Sequence, residues 1–202
     1  MALDYSAFYI LSSLYPEEIT FLDSPDPFQF LIMVMLSAQT TDKRVMEVSP
    51  HLFAKYPDAH SLANADVSTV EEIIKPLGFY KVKAKNIIAT SKEIVRLGCI
   101  PSTMDQLIKL PGVGRKTSSC YIGHVLGQGA VIVDTHFKRV AYRLGYTDSK
   151  DPDKIEEDIK RTPPEKYWYR ASMVLNAFGR DICHAKNSEC ARCPVAAYCK
   201  RR

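Results

Sequence analysis

The chain reads as an all-α protein, and three observations lead there. Apolar residues recur at helical spacing in segment after segment of its 202 residues, and no convincing run alternates apolar and polar with period two. Residues suited to opening a helix stand ahead of several of these segments, as in Asp26-Pro27. Gly and Pro punctuate the boundaries, at Pro16, Gly78 and Gly98 among others. A hydrophobic share of 46% and a charged share of 25% are ordinary for a soluble globular protein, and the length allows one or two domains. No internal repeat, low-complexity tract or flexible linker interrupts it.

The segments follow in order. Asp4 to Leu14 forms a short helix closed by Tyr15-Pro16. Asp26 as N-cap and Pro27 at N1 open the very apolar PFQFLIMVMLSAQ, a helix central to a core. It ends around Ser37 to Asp42, where Asp42 caps the next helix, KRVMEVSPHLFAKY, with Pro50 as a candidate kink. Ser68 and Glu71 have capping-box spacing before a helix that stops near Pro76-Leu77-Gly78. The following helix carries Val82, Ile87, Ile88, Ile94, Val95 and Leu97 on its apolar face and ends at Gly98. Ser102 or Thr103 caps a short helix through MDQLIK, Arg115 to Gly127 forms another, and helices near 135–144, 153–160 and 165–178 complete the chain.

The chemistry concentrates in LPGVGRKT and the VDTH that follows it. Pro111, Gly112 and Gly114 break the chain between two helical segments, so this is a tight hairpin. Gly112 can adopt a positive φ, and Gly114 lets the backbone approach a partner closely. The helix beyond directs its first N–H groups forward, a place suited to phosphate. Lys116 lies in that first turn, where a cation is electrostatically disfavoured and the neutral amine a nucleophile needs is favoured. Asp134 stands before the helix at Thr135 and reads first as an N-cap. A carboxylate held there is fixed in space and can serve chemistry too.

Net charge is only +4, from 27 basic and 23 acidic residues, but its distribution is uneven. Lys75, Lys81, Lys83, Lys85 and Lys92 form a stretch without acids. Lys109, Arg115 and Lys116 surround the hairpin, and Lys138, Arg139 and Arg143 follow Asp134. Acids gather at Asp151, Asp153, Glu156, Glu157 and Asp158. A basic side against an acidic side suits a nucleic-acid partner, although solvated helix faces would give the same pattern. The N-terminal segment lacks the basic start of a secretory signal, and Phe30 to Leu36 is too short to span a bilayer. A soluble cytoplasmic protein with no membrane partner is expected.

Four of the six cysteines lie at Cys183, Cys190, Cys193 and Cys199, separated by six, two and five residues. Disulfides do not suit a reducing compartment. Structural zinc usually shows two short Cys knuckles, and here only Cys190 and Cys193 make one. Four thiolates in a compact loop suit a [4Fe–4S] cluster, one per iron. On spacing alone both metals stay open. Cys99 and Cys120 fall singly in helical patterns and are expected to be buried apolar residues.

Taken together, LPGVGRKT with VDTH, LSAQTTD, GFY and the cysteine spacing resemble the endonuclease III family of helix-hairpin-helix DNA glycosylases, over nearly the whole chain. The resemblance implies a six-helix barrel domain (19–128) packed on a helical iron–sulfur domain (1–18 and 129–202), with the active site in the cleft between. It implies that Lys116 is a Schiff-base nucleophile, Asp134 the essential carboxylate, and the four cysteines ligands of [4Fe–4S]. Gln39 would fill the gap left by an extruded nucleotide and Phe79 would wedge into the base stack. Leu110, Gly112, Val113, Gly114, Arg115 and His136 would complete the contacts to double-stranded DNA. The implied activity is a bifunctional glycosylase that removes oxidised or ring-saturated pyrimidines and cleaves the abasic site by β-elimination, acting as a monomer. Monofunctional relatives lack the lysine and carry a catalytic Glu where this chain has Met33. A non-catalytic DNA-binding module would need neither Lys116 nor Asp134, and an electron carrier would need no hairpin. The sequence departs from the family pattern in a less basic loop, HAKNSE, and in Phe178, where many relatives have His.

Overall fold

The structure is a computed structural model that describes residues 5–161 and 163–200. Every regular element among them is helical, with no strand. The chain divides into two compact units, one from residues 21–126 and one joining the N-terminal 20 residues to those from 127 onward. No helix among the described residues is long and apolar enough to cross a membrane.

The first unit is built around α2 (Pro27–Leu36), of which only Pro27 and Gln29 escape burial. Asp26 caps it, its Oδ1 accepting the Gln29 N–H at 2.8 Å. Against α2 pack α3 (Asp42–Lys55), α6 (Tyr80–Leu97) and α8 (Arg115–His124); α4 (Ala59–Ala63) and α5 (Val67–Ile74) lie on α6, and α7 (Met104–Leu107) on α8. Burial of each α2 apolar side chain contributes about 1.5–3 kcal/mol.

Several caps differ from expectation by a residue or two. Thr41 rather than Asp42 caps α3, accepting the Arg44 N–H. Pro50 is accommodated within one helix. Ser68 caps nothing: Asp66 accepts the Thr69 N–H at 2.9 Å and also the Ser68 hydroxyl. A carboxylate is the better acceptor, so it claims the cap position and draws Ser68 into the helix. Thr103 sits at the start of α7, but its hydroxyl donates to Gln106 Oε1 instead of capping. Helix α4, not expected, has a complete capping box between Asp58 and Ser61. The Asp4 end of the first predicted helix lies outside the described residues.

The buried face of α6 also departs from the one expected. Ala84, Ile87, Ile88, Ser91 and Ile94 form it at helical spacing, whereas Val82 and Leu97 are exposed. Val82 lies two residues from Ala84, on the opposite side. Cys99, beyond the Gly98 terminus, is exposed rather than buried, and Cys120 is half-buried.

In the second unit α1 (Ser6–Leu14) and α9 (Thr135–Leu144) pack on α11 (Trp168–Asp181), and α10 (Pro152–Lys160) adds Ile155 and Ile159 to the same core. Gly179 allows α11 to approach α9: a Cβ there would stand 3.0 Å from His136 Cβ and 3.2 Å from Val140 Cγ2. Arg170 ties α11 to the end of α1, donating to the carbonyls of Ser12 and Tyr15 at 2.9 and 3.0 Å. Among the described residues after α11 the regular elements are single 3-10 turns, at Cys190–Arg192 and Ala196–Tyr198.

Candidate functional site

The hairpin links α7 to α8. Gly112 has φ +74, and any Cβ on it would meet the Asn86 side chain at 2.6–2.7 Å, so glycine is required there twice over. Thr90 of α6 fixes the turn by donating to the Pro111 carbonyl at 2.6 Å. Gly114 has an ordinary φ of −103 and nothing within 4 Å of where a Cβ would stand, so its value is the open space before it. As the N-cap of α8 it offers no side-chain acceptor. Arg115 and Lys116 follow, both exposed.

Two residues of the hairpin are held from within. The side chains of Leu110 and Val113 are buried, and their N–H groups are used in the turn, donating to Leu107 and Leu110 carbonyls at 3.0 and 3.1 Å. Neither N–H is available to a phosphate. The anion-binding capacity falls to Gly112, Gly114 and the first turn of α8.

Gln39 and Phe79 share an unusual backbone. Both are non-glycine residues in the left-handed region, with φ 54 and 49, and both are exposed, Phe79 to 66%. Such a conformation costs on the order of 1 kcal/mol or more at each position, and an apolar ring left in water gains nothing back. Strained, exposed residues of this kind fit a binding role better than a structural one. The two turns are tied together: Thr40 donates to the Leu77 carbonyl at 2.6 Å, and Lys83 Nζ donates to both Thr40 Oγ1 and that carbonyl.

In the second unit Asp134 caps α9, as expected, with Oδ1 accepting the Phe137 N–H at 2.7 Å. Its Oδ2 accepts from Asn176 Nδ2 of α11, and Asn176 Oδ1 in turn accepts from Arg180 Nε at 2.7 Å. His136, half-buried in the first turn of α9, places Nδ1 3.3 Å from Arg139 Nη2.

The basic residues after Asp134 serve the fold more than a partner. Arg139 donates to the carbonyls of Cys183 and Gly179 at 2.9 and 2.8 Å. Arg143 Nη1 donates to Cys183 Sγ at 3.2 Å, His184 O at 2.8 Å and Ser188 Oγ at 2.7 Å. Lys138 donates to the Lys150 carbonyl. Lys83 likewise is buried, and burial lowers its pKa. Sequence reasoning places these residues in a basic face because charge is visible in a sequence and its partner is not. Lys81 and Lys85 are exposed and remain available.

Cys183, Cys190, Cys193 and Cys199 are free thiols lining one cavity of about 260 Å³. Phe178, fully buried, forms part of its apolar wall. Burial, with the nearby Cys183, Cys199 and Cys190, raises the Cys193 thiol pKa. The four sulfurs share this cavity, although as they stand no three His, Cys, Asp or Glu side chains among the described residues are gathered closely enough to hold a metal ion. Asn176 and Arg180 are what the sequence left unassigned, and the structural roles of Lys83 and Arg143 are what it missed. Only the i,i+4 spacing of Asn176 and Arg180 could have hinted at any of them.

The chain matches the family model described as HhH-GPD superfamily base excision DNA repair protein over residues 32–164. It is 42% identical over 193 residues to endonuclease III of Synechocystis sp., covering 94% of this chain and 88% of the relative. Identity to the Bacillus subtilis endonuclease III is 36%, with the same coverage. Among solved structures, a non-covalent endonuclease III–DNA complex is similar at TM-score 0.90 and 33% identity, covering 96% of this chain and 93% of that one. A trapped endonuclease III–DNA covalent intermediate reaches TM-score 0.92 at 33% identity, covering 99% and 97%. The fold extends to a thermostable thymine-DNA glycosylase, TM-score 0.81 at 19% identity, covering 98% of each chain. The chain belongs to the endonuclease III family of the HhH-GPD base-excision repair superfamily.

Proposed function

We propose that this protein excises oxidised or ring-saturated pyrimidines from double-stranded DNA and then cleaves the abasic site, with Lys116 as nucleophile and Asp134 as the carboxylate that supports base loss. The observation that carries the assignment of roles is Asp134. Its oxygens accept from the Phe137 backbone and the Asn176 side chain, which leaves its charge fixed in position rather than swinging in solvent. Lys116 is exposed at the start of α8, beside a turn that supplies N–H groups for a phosphate.

Extruding a nucleotide costs a few kcal/mol, least for a weakly stacked base. Gln39 and Phe79, held out in strained turns, occupy the vacancy. The Lys116 amine adds to C1′ as the glycosidic bond breaks, and the base leaves with the bonding electrons and takes up a proton. Asp134 stabilises the positive charge that grows on the sugar. Loss of the amine's proton and opening of the sugar ring give a Schiff base. That group makes the 2′ proton acidic, and its removal expels the 3′ phosphate by β-elimination.

The four cysteines would hold a [4Fe–4S] cluster, which would supply covalent ties to a segment whose described residues form two single helical turns. Arg143 and Phe178 shape the cavity around it. The protein acts as a monomer in the cytoplasm.

A panel of duplexes, each with one defined lesion, tests this reading directly. Strand cleavage and borohydride-trapped protein–DNA adducts should appear with damaged pyrimidines and with abasic sites. Inactivity on every lesion and on abasic sites would leave a non-catalytic DNA-binding module.

A further inference from the structure

We infer that Asn176 is a positioning residue for Asp134, acting on the carboxylate oxygen that the helix cap leaves over; this rests on the role given to Asp134 above. The cap engages only Oδ1, through the Phe137 N–H at 2.7 Å. One hydrogen bond leaves a carboxylate free to rock about the bond that carries it. Asn176 Nδ2 donates to the other oxygen and removes that freedom.

The amide's own orientation is settled by chemistry. Arg180 Nε donates to Asn176 Oδ1 at 2.7 Å, and an arginine can only donate. An ionised carboxylate can only accept. With arginine on one side and Asp134 on the other, the amide presents its oxygen to the first and its nitrogen to the second.

Asn176 is 7% exposed, in a run of buried and otherwise apolar residues, Met173, Val174, Leu175, Ala177 and Phe178. A buried amide in such company is costly unless its groups are bonded. Here both are, one of them to the residue on which the chemistry depends.

The amide stands between Arg180 Nε and Asp134 Oδ2, bonded to both. A guanidinium on the carboxylate would neutralise the charge meant for the developing sugar cation. With Asn176 between them, arginine fixes the geometry while the carboxylate keeps its charge for the reaction.

The test is a double-mutant cycle on the full-length protein with its metal content checked, using single-turnover excision from a damaged duplex. Asn176→Leu should slow excision roughly 10- to 100-fold through misplacement of the carboxylate. Trapping on a preformed abasic site should fall less. In an Asp134→Asn background, where no carboxylate remains to be oriented, the same substitution should change the residual rate less than about twofold. Asn176→Asp keeps the acceptor for Arg180 and nearly the same volume, so it serves if Asn176→Leu does not fold. It sets a second carboxyl against Asp134, which favours a shared proton, so it is assayed across pH: where both groups are ionised no donor remains and excision should slow at least as much. Equal slowing in both backgrounds, or wild-type excision by either variant, would overturn the proposal. Wild-type protein inactive on all substrates would instead remove the catalytic reading itself, and this inference with it.

Discussion

The Lys83 ammonium donates to Thr40 Oγ1 at 2.7 Å, joining positions 43 residues apart in the chain. It also donates to the Leu77 carbonyl at 3.0 Å. Thr40 follows Gln39 directly and Leu77 lies two residues before Phe79, so one buried cation braces both left-handed turns. Strained backbone persists only where surrounding contacts over-determine it, and these hydrogen bonds supply that constraint.

Lys83→Met separates the brace from the core. The Leu77 carbonyl keeps Thr40 as a donor, and an uncompensated desolvation cost disappears, so stability should change by no more than about 1 kcal/mol. Affinity for damaged duplex should nevertheless weaken as the two turns loosen. The pH dependence provides a second readout. Burial lowers the folded-state pKa of Lys83 below 10.5, so between those values the unfolded chain binds more protons than the folded one. Lys83 therefore makes stability rise with pH as it approaches 10.5, and Lys83→Met should flatten that part of the curve relative to wild type in urea unfolding. An unchanged curve would mean the amine is well solvated.

For DNA affinity, the exposed lysines of α6 are the relevant ones. Lys81→Ala with Lys85→Ala should reduce the slope of log affinity against log salt by about 0.9 for each phosphate that is no longer neutralised. Lys83→Met should leave the slope alone. Titrations of undamaged duplex at several salt concentrations distinguish these cases, and an unaltered slope in the Lys81 and Lys85 variant would make those residues a solvated face.

Lys116→Gln removes an exposed first-turn cation. It should fold normally and gain a few tenths of a kcal/mol from the loss of an unfavourable charge at a helix N-terminus. Borohydride trapping on damaged DNA should disappear. Persistent trapping would assign the nucleophile to another amine.

How much of this is legible in the sequence depends on whether one residue or a pair carries the information. Asp26-Pro27, Gly112 and Asp134 act through the backbone beside them, and the sequence alone places them correctly. The continuous apolar run of α2 likewise announces a central helix. Lys83, Arg139 and Arg143 read as part of a basic face because their acceptors lie 6 to 45 residues away. Asn176 carries no local signal beyond its i,i+4 spacing to Arg180, being one polar residue in an apolar helical run. Caps shift where two acceptors compete within three residues, as Asp66 and Ser68 do. Val82 falls on the other face of α6 from the one expected because β-branched apolar residues read as core whether or not they are buried.

Asp134 combines a structural and a chemical role that substitution can part. Asn is also a good N-cap, so Asp134→Asn should cost little stability, whereas Asp134→Ala should cost about 1 kcal/mol for the lost cap. Both should slow base excision by orders of magnitude, since neither carries the charge that meets the sugar cation. Trapping on a preformed abasic site needs no base to leave and should fall less. If Asp134→Asn lost both activities equally while folded, the carboxylate would be acting through the protonation of Lys116.

The cysteine cavity makes the last prediction independent of catalysis. Anaerobically purified protein should be yellow-brown and hold about four irons and four sulfides per chain when fully loaded. Substituting Ala for any one of Cys183, Cys190, Cys193 and Cys199 should lower iron content and soluble yield, because the segment after α11 has little regular structure to hold it. Cys99→Ala, at an exposed position outside the cavity, should leave colour and yield intact. Arg143→Leu is the finer probe: it removes donors to Cys183 Sγ, His184 O and Ser188 Oγ together without removing a sulfur. The expected result is protein that still takes up iron but loses it faster in air or chelator. Stoichiometric zinc without iron in the anaerobic preparation would instead make the four sulfurs a mononuclear structural site.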